Sequence, residues 1–425
     1  MERFLLENAL LIDPSQHLHE IGDVLIDDGK IIKIGGNLIP DGCKSINCKG
    51  LVIAPGLVDM HVHLRDPGFT YKEDIITGCE SAAAGGVTSV LCMPNTKPAI
   101  DSEDTVSYII EKSKTAKAHV YPVCSITKGL LGEELCDYEK LQKVGAVAVS
   151  DDGRPVENAK MMKQAMINAE KIGMLTISHC EDLDIIDGGI INDGEVSKTL
   201  GVKGMDRCSE EIITAREIIL AENAGTRIHI AHVSTKGSVQ LIREAKARGV
   251  KVTCETAPHY MMMTDKLLLG KDADYRMNPP LRCDDDVKAI IEGVLDGTID
   301  AIATDHAPHS PEEKSDFLKS PNGIVGLETS LAACITVLCK EHGMSMDDLI
   351  SKMSVNPAKI TGIHGGTLRK GSPADIVVFD MDKQWTVTPD SFKSKARNSA
   401  FKNMTLTGKV VYTFLNGELV FEDKD

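Results

Sequence analysis

The run Gly56-Leu57-Val58-Asp59-Met60-His61-Val62-His63-Leu64-Arg65 decides how the rest of the chain is read. Its apolar start behind Pro55-Gly56 describes a short buried strand that ends in polar chemistry. Side chains alternate across a strand, so His61 and His63, two apart, share a face. Two imidazoles converging at a strand's C-terminal end are what a divalent transition metal takes as its first two ligands. An isolated His-x-His equally fits two ordinary buried histidines, so the remaining sequence has to choose.

Outward from this run, short β-branched segments recur at 57–63, 87–92, 118–124, 145–150, 174–178, 227–232, 250–256 and 299–304. Between them, 102–116, 156–172, 208–224, 237–248 and 284–296 carry apolar residues at helical spacing with charged faces. This alternation predicts an α/β fold, a (β/α)8 TIM barrel over residues 55–364. A doubly wound open sheet is the competing layout, but no Gly-x-Gly-x-x-Gly follows the first strand. The flanks 1–54 and 365–425 read as strand pairs around Asp28-Gly29 and Asn416-Gly417, with a further strand at 373–380. Packing them together as a small β-sandwich domain buries their one-sided apolar faces.

At 425 residues and 42% hydrophobic content, the chain can hold a large barrel plus a smaller domain. A net charge of −16 argues against nucleic acid as a partner, and an anionic small-molecule substrate would need locally placed cations. No apolar run is long enough to span a bilayer, and the first residues lack a signal-peptide layout, so no membrane partner and a cytoplasmic location are expected. The 12 cysteines show no Cys-x-x-Cys spacing and read as reduced core residues. Cys180, beside His179, is expected to pack on the opposite face rather than ligate.

A barrel's active site lies at the C-terminal ends of its strands, so ligands should be His, Asp or Glu at strand ends. That filter returns His61, His63, Asp151-Asp152, His179, His232 and Asp305. Four imidazoles and two carboxylates at one mouth suit two zinc-type ions that share a bridging carboxylate. His229, three before His232, should face the other way and pack against an outer helix. His119, His17, His19, His342 and His364 read as ordinary histidines. Asp59 either hydrogen-bonds behind a ligand or makes a structural contact. Arg65 shares the face of His63 and can grip a carboxylate in bidentate fashion, while Asn95, Asn278 and His309 sit on loops leaving strand ends.

Asp59-Met60-His61-Val62-His63-Leu64-Arg65-Asp66-Pro67-Gly68, Met93-Pro94-Asn95-Thr96, Ser150-Asp151-Asp152-Gly153, Ser178-His179-Cys180-Glu181, Ala231-His232-Val233-Ser234, Arg276-Met277-Asn278-Pro279-Pro280-Leu281-Arg282 and Ala303-Thr304-Asp305-His306-Ala307-Pro308-His309, with Lys314 beyond, span nearly the whole chain. On these motifs the sequence resembles the class I bacterial dihydroorotases of the amidohydrolase superfamily. The resemblance implies two Zn2+ per chain, one on His61, His63 and Asp305, the other on His179 and His232, with Asp152 bridging. Ala146-Val147-Ala148-Val149 is apolar on both faces and cannot choose between Asp151 and Asp152, so that assignment rests on the resemblance alone.

The resemblance further implies that Asp305 is the catalytic acid and base and that His63, Arg65, Asn95, Asn278, His309, Asn322 and Gly323 contact substrate. The implied reaction is reversible cyclisation of N-carbamoyl-L-aspartate to L-dihydroorotate plus water, in pyrimidine biosynthesis. Hydantoinases carry a carbamylated lysine at the end of strand four, where this chain has Asp151-Asp152. The alternatives are an allantoinase or hydantoinase-type cyclic amidohydrolase and a non-catalytic dihydroorotase-like scaffold; such scaffolds typically lose metal ligands. A homodimer is common in similar enzymes, and the same ligands tolerate manganese or cobalt. The charged loop 310–316 is expected either to cover the substrate or to be solvated.

Overall fold

The computed structural model describes residues 2–39 and 42–424; Met1, Pro40, Asp41 and Asp425, which the expected terminal segments include, lie outside these. Eight parallel strands pair in chain order: Leu57–Val62, Val87–Cys92, His119–Cys124, Ala148–Val149, Leu175–Ser178, Ile228–Ile230, Val252–Thr256 and Ala301–Ile302. The ends of this sheet meet where Val62 bridges His306 in parallel and the His63 amide donates to the His306 carbonyl at 2.8 Å. The result is the (β/α)8 barrel that the alternation predicts.

Helices Glu103–Ser113, Ala159–Lys171, Cys208–Ala224, Lys236–Ala247 and Asp284–Leu295 match the periodic segments. Ser102, Asn158 and Thr235 start three of them by accepting first-turn amides on their side-chain oxygens. The strands are apolar on both faces because both are buried. Cys92, Val149, Ile228, Ile230, Cys254 and Ile302 pack outward in the cluster shared with the helices. Leu91, Val123, Ala148, Leu175, Ile177 and Ala301 form a separate interior cluster.

Several strands are shorter than their apolar runs. The sixth leaves the ladder at Ile230 and the eighth at Ile302, so the residues beyond them are free to turn inward. His232 and Asp305 lie just past these ends with φ of 32° and 48°. Strand parity therefore stops applying before His232 is reached.

The terminal segments build one eight-stranded sheet of their own. Phe4–Asp13 pairs antiparallel with Leu18–Asp27 and parallel with Val52–Pro55, which in turn pairs antiparallel with Ile376–Thr386 from the far end of the chain. Asp28-Gly29 and Asn416-Gly417 turn its hairpins with φ of 46° and 75°, and 47° and 76°. Positive φ at both central residues suits the right-handed twist of the flanking strands. The sheet buries its own core, including Phe4, Leu11, Ile26, Ile53, Ile376 and Phe414.

A metal-binding cluster at the barrel mouth

The strand ends bring His61, His63, Asp152, His179, His232 and Asp305 to one place, all of them buried. Two groups of three, His61, His63 and Asp152, and Asp152, His179 and His232, each hold their ligand atoms within 4.8 Å of one another. Asp152 belongs to both. Its Oδ1 lies 3.2 Å from His61 Nε2, 3.5 Å from His179 Nδ1 and 3.7 Å from His232 Nε2, and its Oδ2 lies 3.5 Å from His63 Nε2. Asp305 Oδ1 sits 3.0 Å from His63 Nε2 and 3.7 Å from His61 Nε2.

Polar groups behind each imidazole decide which nitrogen faces inward. His63 Nδ1 donates to Asn95 Oδ1 at 2.8 Å, His61 Nδ1 to Glu255 Oε1 at 3.1 Å, and His179 Nε2 to Glu181 Oε2 at 3.0 Å. The opposite nitrogens, left as lone pairs, converge on Asp152. His179 Nδ1 and His232 Nε2 face each other at 2.8 Å. His61 Nε2 and Asp152 Oδ1 are buried without completing a hydrogen bond. Orphaned acceptors gathered at one point suit a bound cation better than a protein-only network.

The electrostatics agree. Burial alone would raise Asp152, but His61, His179 and His232 hold its carboxyl well below the usual range. Burial likewise raises Asp305 and is outweighed by His63 and then His61, so this carboxyl too is held low. Burial lowers His61, yet Asp152 and Glu255 lift it well above its ordinary value, so without an ion its Nε2 holds a proton that a bound cation would displace to reach the lone pair. An ionised, carboxylate-rich pocket with imidazole donors is the environment of a divalent ion.

Asp151 is placed apart from the cluster. Its carboxylate accepts from the amides of Ile126 at 2.7 Å and Thr127 at 3.1 Å, and from the Thr127 hydroxyl. Asp59 accepts from the His61 amide at 3.1 Å and the Thr304 amide at 3.2 Å, tying the first strand to the turn that carries Asp305. Cys180 points to Ser178, and burial pushes its thiol up to about 12.

His229 corrects an expectation. Its neighbours Ile228 and Ile230 pack in the cluster shared with the helices. His229 itself faces the other way, with Nδ1 2.8 Å from Thr253 Oγ1 and Nε2 3.4 Å from Glu255 Oε2, rather than against an outer helix. Both His229 and His232 lie on the interior because the strand ends between them.

A cavity of about 200 Å³ opens beside the cluster, lined by His63, Arg65, Asn95, Asn278, His309, Asn322 and Gly323 among others. A larger cavity of about 760 Å³ lies under Trp385 and Phe421, but it has no such donor set. Arg65 Nε donates to the Pro308 carbonyl at 3.2 Å and its guanidinium abuts His309 Nε2 at 3.3 Å. His309 Nε2 is also 2.9 Å from the Asn322 carbonyl, and Nδ1 is 3.2 Å from Lys72 Nζ. The consistent tautomer donates from Nε2 to Asn322 and accepts from Lys72. Burial and the cations Arg65, Lys72 and Lys314 keep this imidazole neutral. Asn278 Nδ2 donates to Glu181 Oε1 at 2.9 Å. At Gly323, φ of 135° and a Cβ position 2.7 Å from Ala307 Cβ exclude any side chain.

The charged loop is pinned rather than solvated throughout. Lys314 is buried and donates to the carbonyls of Arg276, Pro321 and Gly323 at 3.2, 3.1 and 3.1 Å. Three participants escaped the sequence reading. Glu255 lies within a strand and was removed by the strand-end filter; Glu181 stood in a quoted motif without a role; Lys72 sits on a loop with no periodic signal.

An α/β barrel with this His and Asp cluster at its mouth defines a metal-dependent hydrolase of the amidohydrolase type. A dihydro-orotase-like family model matches residues 50–238 and an amidohydrolase family model matches 213–421. The dihydroorotase of Geobacter sp. (strain M21) is 51% identical over 421 residues, 98% of this chain and 99% of that protein. That of Acetivibrio thermocellus is 48% identical over 422 residues, 99% of each. Among solved structures, the L-hydantoinase (dihydropyrimidinase) from Arthrobacter aurescens is 26% identical with a TM-score of 0.89, over 100% of this chain and 97% of that one. The chain belongs to the dihydroorotase family, and is a hydrolase of cyclic amides.

Proposed function

We propose that this chain catalyses the reversible closure of N-carbamoyl-L-aspartate to L-dihydroorotate and water, using two zinc ions. Asp152, which stands in both ligand groups beside an Arg65-His309 wall fitted for a carboxylate, is the observation that carries the reading. His61, His63 and Asp305 would hold one ion, His179 and His232 the other, with Asp152 between them. Bound there, the ions supply an acidified water and a polarised amide carbonyl.

The chain's own groups do the rest. Arg65 presents a fork of N–H donors to the α-carboxylate, and neutral His309, Asn95 and the Asn322-Gly323 backbone complete its seat. Lys72 behind His309 is itself paired with Glu313 at 2.8 Å, so the Arg65 guanidinium is the cation left to meet the anion. In hydrolysis Asp305 takes the water's first proton and passes it to the leaving ring nitrogen, then takes the second as the product carboxylate forms; closure runs these steps backwards and so starts from protonated Asp305. Hydantoin and allantoin lack the α-carboxylate that this wall would read. The 12 unpaired cysteines fit a reducing, cytoplasmic setting. Among the described residues no helix is long and apolar enough to cross a membrane.

The purified protein, assayed with L-dihydroorotate, hydantoin and allantoin alongside metal analysis, should open dihydroorotate and hold close to two zinc ions per chain. Turnover of hydantoin or allantoin alone would replace this reading with the neighbouring ureidohydrolase one.

A further inference from the structure

His61 leans on a buried chain of polar groups that reaches beneath the cluster. Glu255, 1% exposed, places Oε1 3.1 Å from His61 Nδ1 and Oε2 3.4 Å from His229 Nε2. His229 is 0% exposed, and its Nδ1 lies 2.8 Å from Thr253 Oγ1. Thr253 and Glu255 are two apart on the seventh strand and share a face, and Thr253 is the ladder partner of His229. Glu255 Oε2 and His229 Nε2 complete no hydrogen bond, and the polar contact that links them is their 3.4 Å ion-pair approach to each other. Each is therefore the other's polar counterpart.

An ionised carboxylate only accepts, so both nitrogens facing it carry protons. That fixes His61 as the Nδ1–H tautomer, with its Nε2 lone pair toward Asp152, and fixes His229 as Nε2–H, accepting at Nδ1 from the Thr253 hydroxyl. We infer that Glu255 and His229 are positioning residues for the metal centre: His229 orients Glu255, Glu255 orients His61, and affinity at the His61-His63 position depends on a histidine that touches neither metal nor substrate. The inference rests on the metal reading proposed above.

Metal-free protein titrated with Zn2+ against a competing chelator, and with Co2+ followed by its visible spectrum, tests this on Glu255→Gln, His229→Met, His229→Gln and the Glu255→Gln/His229→Met double variant. Glu255→Gln should weaken one of the two ions about 10- to 100-fold and leave the other at its wild-type affinity. His229→Met should weaken the same ion about three- to tenfold, His229→Gln, which keeps an N–H donor, should recover most of that loss, and the double variant should match Glu255→Gln alone. Equal weakening by His229→Met in both backgrounds, or no change in either, overturns the inference. If Glu255→Gln does not fold, as judged by circular dichroism of the metal-free form, the two His229 variants still decide, since equal affinities for them reject the relay. Wild-type protein that binds no metal would instead sink the metal reading itself.

Discussion

The terminal sheet and the barrel mouth both place non-glycine residues in the left-handed region, but of different kinds. In the sheet they are mostly Asn8, Asp28, Asn37 and Asn416, at φ between 46° and 63°. Asn and Asp, whose short polar side chains can bond to nearby backbone, make this conformation cheap; Asn8 sits at a register irregularity within the strand Phe4–Asp13 and the others at bends and hairpin turns, where glycine would serve as well. At the mouth they are Arg65, His232 and Asp305, at φ of 59°, 32° and 48°. There the side chain has a chemical task and glycine is no substitute. Backbone strain of about 1–3 kcal/mol at such positions persists only where the surroundings over-determine it. Asp59 holding the Thr304 amide, and the His63 amide held by the His306 carbonyl, are such restraints. Left-handed backbone thus marks a turn in one region and a functional side chain in the other.

The sharpest way to break this contrast is at Asp305. Asp305→Asn keeps the backbone and a coordinating oxygen but cannot shuttle a proton, so turnover should fall about 10³- to 10⁴-fold with most metal retained. Loss of metal in parallel with activity would leave Asp305 as a ligand only. The same residue sets a sign for pH: hydrolysis consumes the carboxylate form and closure the protonated form, so hydrolysis should fall and closure rise as the solution is acidified. Initial rates measured in both directions would reject the acid-base role if their slopes had the same sign.

Next in size is the paired aspartate. Asp152→Ala should release metal and activity together, whereas Asp151→Ala should keep close to two metals while losing stability of about 1–3 kcal/mol, chiefly through the Thr127 amide and hydroxyl, since the Ile126 amide keeps the Ser150 carbonyl at 3.3 Å. The reverse pattern in metal analysis would exchange the two roles. Arg65→Met should cost roughly 2 kcal/mol of substrate binding, about thirtyfold in KM, with kcat less affected. An unchanged KM would remove Arg65 from the substrate. Smallest are the hairpin turns, where Asp28→Gly and Asn416→Gly should alter stability by less than about 0.5 kcal/mol and leave the kinetics untouched. Urea melts showing a larger loss would mean that these turns, too, carry more than a bend.

The barrel was legible because both faces of its strands are buried, so β-branched runs such as Val87–Cys92 stand out between amphipathic helices. The strand-end rule found His61, His63, Asp152, His179, His232 and Asp305 because chemistry in this fold collects where strands stop. Strand parity misplaced His229 because it was counted back from His232, and apolar Ile230-Ala231 reads through a strand end that the backbone breaks. Glu255 was invisible because a single glutamate inside a strand carries no periodic signal, and its partners His61 and His229 are 194 and 26 positions away in sequence. Lys314 shows the converse, since a charged loop looks solvated until three carbonyls are found around its ammonium.

The seam between Val52–Pro55 and Ile376–Thr386 also sets a timetable. One edge leaves the ribosome about 320 residues before the other, which at 5–20 residues per second is roughly 15 to 60 s. For that interval Ile53, fully buried in the finished molecule, has no partner strand on that side. The barrel is threaded between the two halves of this sheet, so its last strands are already made when the sheet is sealed. A C-terminal truncation that spares every metal ligand would still leave a hydrophobic strand edge open at the entrance to the first barrel strand.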